Sequence, residues 1–246
     1  MAESQPLLRV EGLTKRFGGF TAVDSVTFSV HKGEIMGLLG PNGSGKSTTF
    51  NCVAGMLKPS AGSVLLEGQE IAGLAAEEVC RRGIGRTFQI PRPFRNLSIF
   101  ENAVLAAHYG AGESIDRAEA EQRARDALQL AQLPDDKDAQ ISGLGAAGLK
   151  KLELARALAT RPQLLLADES LGGLDTAEMH AAADMLKRIR DERGITIVWV
   201  EHIMGVLLSV VDKVVVLDHG AIIFTGTPQD AQEDERVAEV YLGPPE

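Results

Sequence analysis

A glycine-rich segment in the first fifth of the chain constrains its fold more than any other feature. Residues 40–47 satisfy the pattern G-x-x-x-x-G-K-[ST], in which glycines let successive backbone N–H groups turn toward a phosphate. A short apolar run at 34–39 reads as a strand, and residues 48–56 read as a helix. A strand, a glycine-rich loop and a helix in this order predict an α/β fold that binds a nucleoside triphosphate.

We call residues 40–47 the P-loop, and each residue type in it has a chemical use. Lys46 would place a point charge on the β and γ oxygens, and Ser47 would offer its hydroxyl to Mg²⁺ where a helix begins. The alternative is a structural glycine-rich turn, which the flanking strand and helix disfavour. The residues expected to bind the nucleotide here are Gly40, Pro41, Asn42, Gly43, Ser44, Gly45, Lys46, Ser47 and Thr48.

Charge and composition exclude several other classes of protein. The formal net charge of −9 leaves no basic excess to neutralise nucleic-acid phosphates, so no nucleic-acid partner is expected. Cys52 and Cys80 form no CxxC pair, which fits a reducing cytosol. No apolar run has the length needed to span a bilayer, and the first residues do not read as a signal peptide. If the protein acts at a membrane, we therefore expect other chains to hold it at the membrane surface.

Strand and helix signals alternate along the chain, which predicts a mostly parallel sheet with flanking helices. Residues 26, 28 and 30 are apolar and alternate with polar ones, as in a half-buried antiparallel strand. Continuous apolar runs predict central parallel strands at 164–167, 195–200 and 214–217. Between 90 and 160 the strand signal fades, and 117–133 has a helical period. We interpret this stretch as an inserted helical subdomain.

A pair of acids follows one of these apolar runs, in the segment LLLADES at 164–170. Carboxylates at the C-terminal end of a parallel strand lie where open α/β sheets bind ligands. Asp168 would hold Mg²⁺ through water, and Glu169 would polarise the attacking water. The same two acids in isolation would be a solvated strand end. Together with the P-loop they predict hydrolysis.

From Leu8 to about Leu242 the chain resembles the ATP-binding-cassette (ABC) ATPases. It looks most like the ATP-binding subunits of hydrophobic, branched-chain amino-acid importers. The segments that carry this resemblance are FGGFTAVDSVTFSV, RTFQIPRPFRNLSIFENA, LELARALATRPQLLLADE and VAEVYLG. The resemblance implies an antiparallel β edge subdomain beside the core sheet.

The resemblance also implies roles for residues outside the P-loop. Phe17 would stack on adenine, with Phe20 as the neighbouring alternative. Gln89 would reach Mg²⁺ and the attacking water, and residues 90–97 would receive a helix of a membrane subunit. His202 would contact the γ-phosphate. The expected catalytic residues are thus Glu169, His202, Gln89 and Lys46. The expected metal ligands are Ser47, Gln89 and Asp168.

The signature segment departs from the family's usual L-S-G-G-Q. Counted back from the LELARAL helix, it falls at 144–148, where the serine is absent and the second glycine is displaced. A hydroxyl lost from a helix N-terminus that faces a partner's γ-phosphate removes one charge-assisted hydrogen bond. The part of the partner subunit's ATP site that this chain would contribute is therefore expected to be weakened. The residues expected at the dimer interface are Gly145, Ala146, Ala147, Gly148 and Asp175.

These observations predict a single ABC ATPase domain over residues 1–246. Residues 1–89 and 161–246 would form the core and the β subdomain, and 90–160 the helical subdomain with the signature segment. The chain would bind ATP and Mg²⁺ on the cytoplasmic face of a membrane and power import of branched-chain or other hydrophobic amino acids. Its partners would be membrane permease subunits, a second identical or sibling ATPase subunit and, indirectly, a solute-binding protein. An ATPase of a lipopolysaccharide or lipid exporter, or a soluble non-transport ABC ATPase, remains the alternative.

Overall fold

The structure is a computed structural model that describes residues 5–168, 174–201 and 204–242. Within these ranges the strands are β1 (Leu8–Phe17), β2 (Phe20–Val30), β3 (Ile35–Leu39), β4 (Ala61–Leu66), β5 (Gln69–Glu70), β6 (Ile84–Arg86), β7 (Leu164–Asp168), β8 (Thr196–Val200), β9 (Lys213–Asp218) and β10 (Ala221–Gly226). The helices are α1 (Lys46–Val53), α2 (Ala76–Arg81), α3 (Ile99–Gly110), α4 (Arg117–Leu130), α5 (Ala146–Ala159), α6 (Thr176–Arg193), α7 (Met204–Leu208), α8 (Pro228–Glu233) and α9 (Glu235–Leu242).

A six-stranded sheet in the order β10-β9-β3-β8-β7-β6 forms the core. Its pairs are parallel except for β10, which runs antiparallel to β9 at one edge. Every residue of β3, β7 and β8 is buried. This burial on both faces is why these strands are continuous apolar runs. The predicted mostly parallel core sheet is confirmed.

The second sheet is antiparallel and has the order β2-β1-β4-β5. In β2 the alternating residues Val26, Phe28 and Val30 are buried, and the polar residues between them are exposed or half-buried. This period-two pattern places one face of the sheet on the core. The antiparallel β edge predicted from the sequence is confirmed.

Residues 90–160 contain α3, α4 and α5 and no strand. These helices pack around their own apolar cluster, which includes Phe100, Leu128 and Leu152. Ser98 begins α3 with a capping box, because its hydroxyl accepts the N–H of Glu101 at 3.1 Å while the Glu101 carboxylate accepts that of Ser98 at 2.8 Å. The arrangement supports a helical subdomain, whose boundaries stay a prediction.

A search of the described helices for one with both the length and the apolarity to cross a bilayer finds none.

Candidate nucleotide site

The P-loop connects the buried strand β3 to helix α1 at the C-terminal edge of the core sheet. Its two pattern glycines have positive φ angles, +146° at Gly40 and +103° at Gly45. A Cβ on Gly40 would lie 2.2 Å from the carbonyl oxygen of Leu217, and one on Gly45 would lie 2.7 Å from that of Ala22. Only glycine therefore allows the loop to approach the sheet and the β2 segment this closely.

Lys46 is the first residue of α1 and is 5% exposed. Its Nζ donates to the carbonyl oxygens of Gly40 at 2.7 Å and Pro41 at 2.9 Å. These bonds bend the lysine back over its own loop and hold its charge beside the first N–H groups of α1, which have no acceptor within their helix. A buried positive charge beside the N-terminus of a helix is suited to binding an anion.

Two buried hydroxyls support the same conclusion. Within the described part of the chain, Ser44 Oγ in the P-loop and Thr49 Oγ1 in α1 have no hydrogen-bond partner. Native proteins rarely leave buried polar atoms unsatisfied, and such exceptions are often found at binding sites. A phosphate group bound over the P-loop would supply an acceptor for Ser44, which lines the cavity there, whereas Thr49 does not line it.

A cavity of about 310 Å³ opens over the P-loop. Phe17, Phe20 and Ala22 line one part of it, and residues 42–48 line the other. The two rings are 47% and 65% exposed. A site with exposed aromatic rings and a cationic, N–H-rich loop fits a nucleotide, whose base stacks and whose phosphates are anionic. Both rings line the cavity, so the choice between Phe17 and Phe20 stays open.

Two segments from the C-terminal part of the chain support the P-loop from behind. The N–H of Gly220, in the turn between β9 and β10, donates to the carbonyl oxygen of Ser44 at 3.1 Å. The N–H of Gly40 donates to the hydroxyl oxygen of Tyr241, in α9, at 2.8 Å. Sequence reasoning assigned no role to either residue.

Asp168 ends β7 and is 6% exposed. Its Oδ2 accepts a hydrogen bond from Nη2 of Arg86, in β6, at 2.8 Å, and its N–H donates to Thr87 Oγ1 at 3.1 Å. Nη1 of the same guanidinium donates to Asn51 Oδ1, in α1, at 2.7 Å. A single arginine thus joins the predicted metal-binding carboxylate to the helix that follows the P-loop.

The Arg86 guanidinium also lies near two aromatic rings, 5.9 Å from the centroid of Phe50 and 5.1 Å from that of Phe88. Such contacts add cation–π attraction to the ion pair. In the sequence, Arg86 stands out only as the first residue of the RTFQ segment. The signal that would have identified it is a charged residue ending a short buried strand beside a strand that ends in aspartate.

We expect Arg86→Met to destabilise the nucleotide-free protein by about 3–5 kcal/mol, because it leaves the buried Asp168 carboxylate without its cation. Urea denaturation of the wild type and the variant measures this. The double variant Arg86→Met/Asp168→Asn should recover most of the loss, and the exposed Arg82→Met is the control. A single variant as stable as the wild type would show that the ion pair contributes nothing.

The other predicted catalytic and metal residues are placed as follows. Gln89 is exposed and lies three residues beyond Arg86, and Ser47 lines the cavity over the P-loop. Glu169 and His202 lie outside the described residues. No group of three or more His, Cys, Asp or Glu side chains that could hold a metal occurs in the described ranges.

The segment predicted as the signature forms the start of α5. Gly145 is its N-cap with extended backbone (φ −74°, ψ −175°) and supplies no side-chain cap; Ala146, Ala147 and Gly148 form the first turn. Asp175 caps α6 instead, with Oδ1 accepting the N–H of Glu178 at 2.8 Å. A role for these residues at a dimer interface stays a prediction.

Gly145→Ser should restore the missing hydroxyl without strain, since beyond the two chain neighbours no atom of the described residues lies within 4 Å of a Cβ at this position. A serine N-cap in place of glycine adds only a few tenths of a kcal/mol to the stability of the isolated chain. Nucleotide-dependent dimerisation should tighten by about tenfold or more, through one added charge-assisted hydrogen bond. Analytical ultracentrifugation with ATP measures it. Ser142→Ala is the control, and a dimer weakened by that control would place the signature serine three residues earlier.

Comparison with known proteins gives consistent results. The ABC transporter family matches residues 23–172. The high-affinity branched-chain amino acid transport ATP-binding protein LivG of Escherichia coli is 35% identical, over 98% of this chain and 99% of that protein. The ADP conformation of MJ1267, an ATP-binding cassette of an ABC transporter, superposes with a TM-score of 0.88 at 30% identity, over 98% of this chain and 100% of that one. The dimeric structure of MJ0796, a bacterial ABC transporter cassette, gives a TM-score of 0.80 at 26% identity, over 90% and 98%.

Proposed function

This chain belongs to the ABC transporter family and is an ATPase of the ABC type, and on that premise we propose that it powers an importer of branched-chain or other hydrophobic amino acids. The near full-length similarity to LivG supports this choice of solute class. The observation that carries the nucleotide part is Lys46, buried and folded back over the P-loop beside the cavity that Phe17 and Phe20 line.

In this proposal the chain's own residues bind and orient the nucleotide. The rings of Phe17 or Phe20 stack on the base, and the N–H groups of the P-loop with Lys46 bind the phosphates. Ser47, Asp168 and Gln89 would hold Mg²⁺, which neutralises charge on the phosphate oxygens. If Asp168 bound the ion through Oδ2, the ion would replace Arg86 as the partner of that oxygen.

Glu169 and His202 would act on the attacking water, Glu169 by polarising it and His202 by contacting the γ-phosphate. Phosphoryl transfer depends on positioning and charge stabilisation, so these groups need orientation more than unusual reactivity. Lys46 completes the set by stabilising charge on the transferred group.

The second half of the site would come from another ATPase subunit. MJ0796, with which this chain shares its fold, forms a dimer. The N-terminus of α5 at Gly145–Gly148 and Asp175 would face that partner. The two subunits would close on ATP and separate after hydrolysis. Residues 90–97 would pass this motion to membrane permease subunits on the cytoplasmic face; in this segment Ile90 is 70% and Phe94 48% exposed.

Uptake of radiolabelled leucine tests the solute class. Cells deleted for this chain should lose high-affinity uptake and regain it with the wild-type chain but not with Lys46→Ala. Affinity purification from detergent extract should recover permease subunits in stoichiometric amounts. Normal leucine uptake in the deletion strain, or recovery of exporter-type permeases, would overturn the proposal.

A further inference from the structure

Helix α9 reaches the P-loop from the far end of the chain. Tyr241 lies 201 residues after Gly40, and its hydroxyl oxygen accepts the Gly40 N–H at 2.8 Å. The helix is anchored by Val237, which is 1% exposed, and the Tyr241 ring packs against the main core cluster. The burial of Val237 and the packing of the Tyr241 ring therefore hold the hydroxyl in place.

Gly40 is bound from both of its backbone groups. Its N–H donates to Tyr241, and its carbonyl oxygen accepts the Lys46 ammonium at 2.7 Å. Gly40 is buried, and a Cβ there would lie 2.2 Å from the carbonyl oxygen of Leu217, so no atom larger than hydrogen fits on that side. The position of the lysine charge and the Tyr241 hydrogen bond thus depend on the same residue.

The turn between β9 and β10 also holds the P-loop in place. Gly220 donates to the carbonyl oxygen of Ser44 at 3.1 Å, and its own carbonyl oxygen accepts the N–H of Asp24 at 2.8 Å. The P-loop is therefore fixed at both ends by segments that follow β9. Without the Tyr241 hydroxyl, the buried Gly40 N–H would lose its acceptor, and a buried donor without a partner favours another loop conformation.

We propose that Tyr241 is a positioning residue that holds the P-loop in its phosphate-binding geometry, so that nucleotide affinity depends on the docking of α9. The inference rests on the proposed function only in that the P-loop binds ATP. Burial raises the pKa of the Tyr241 hydroxyl above its usual value, and the hydrogen bond from Gly40 opposes this. The phenol thus stays neutral near pH 7.

Tyr241→Phe removes the acceptor and keeps the ring. If the P-loop is in its phosphate-binding conformation for only a fraction of the time, the apparent Kd for the nucleotide is the intrinsic Kd divided by that fraction. We expect the Kd for MgADP and the KM for MgATP to rise about two- to tenfold, the range for one neutral hydrogen bond. The kcat should stay unchanged because the bound loop is the same. General destabilisation would instead lower kcat through a smaller active fraction.

Tyr109→Phe is the matched control. Tyr109 and Tyr241 are the two tyrosines of the chain, and Tyr109 is 67% exposed on α3. Its variant should keep the wild-type Kd for MgADP by isothermal titration calorimetry. An equal rise in both variants would overturn the proposal.

The small number of tyrosines also allows a direct spectroscopic test. In protein labelled with 3-fluorotyrosine, the Tyr109→Phe variant retains one fluorine resonance, that of Tyr241. MgADP should shift this resonance, whereas the resonance of Tyr109 in the Tyr241→Phe variant should not move. This inference alone would be refuted if the wild type bound MgADP, Tyr241→Phe had the same Kd, and MgADP left the Tyr241 resonance unshifted. A wild-type chain that binds no nucleotide would refute the proposed function as well.

Discussion

Lys46→Ala is expected to raise the Kd for MgATP by about 100-fold, or about 2.7 kcal/mol. The lysine charge is 5% exposed and is held over the P-loop by Gly40 and Pro41, so water screens it little. The backbone N–H groups of the loop remain in the variant and bind phosphate too weakly on their own. Equilibrium dialysis with labelled ATP measures the change.

The matched control for this substitution is Lys187→Ala, an exposed lysine on α6. It should leave the Kd unchanged. Circular dichroism should show that both variants are folded, because the hydrogen bonds from Lys46 to Gly40 and Pro41 lie within the loop itself. Wild-type affinity in Lys46→Ala would remove the P-loop assignment and with it the proposed function.

Glu169→Gln is expected to lower kcat for ATP hydrolysis by about 10²- to 10⁴-fold, the usual contribution of a group that accepts a proton in the transition state. The amide keeps the size of the side chain but cannot polarise the attacking water in the same way. Binding of ATP should be retained, since the P-loop is unchanged. The ATP-bound dimer should therefore accumulate.

Phosphate release gives the rate, and size-exclusion chromatography with light scattering gives the dimer fraction with ATP present. Glu77→Gln, at an exposed position in α2, is the control and should turn over ATP at the wild-type rate without trapping a dimer. Unchanged turnover in Glu169→Gln would show that another group acts on the water.

Local patterns predicted most of the fold. Apolar runs and period-two alternation identified the core strands and β2, because burial on two faces or one face leaves these marks in the sequence. Helix ends were less accurate. The helix after the P-loop begins at Lys46, earlier than predicted, because Gly45 adopts a left-handed conformation that ends the loop. Helix α4 ends at Leu130, and the nearby Gln132 has φ +55°.

Long-range contacts were not predictable in this way. The Arg86–Asp168 pair joins residues 82 apart, and Tyr241 binds Gly40 across 201 residues, so no local period records either. The choice between Phe17 and Phe20 also stays open, since both line one cavity near the turn between β1 and β2. Residues that share a surface cannot be ranked by their residue type alone.

The Arg86–Asp168 pair has a consequence for how a metal would enter this site. If Asp168 held a metal through Oδ2, this carboxylate would not gain its first positive partner; it would exchange Arg86 for the metal. The buried charge near Asp168 is then balanced before and after the exchange, which avoids a costly unpaired state. Asn51 and two aromatic rings, which contact the Arg86 guanidinium in the structure, would remain near it. Filling and emptying of the proposed site would then be a substitution between cations, with α1 joined to Asp168 through Arg86 while the metal is absent.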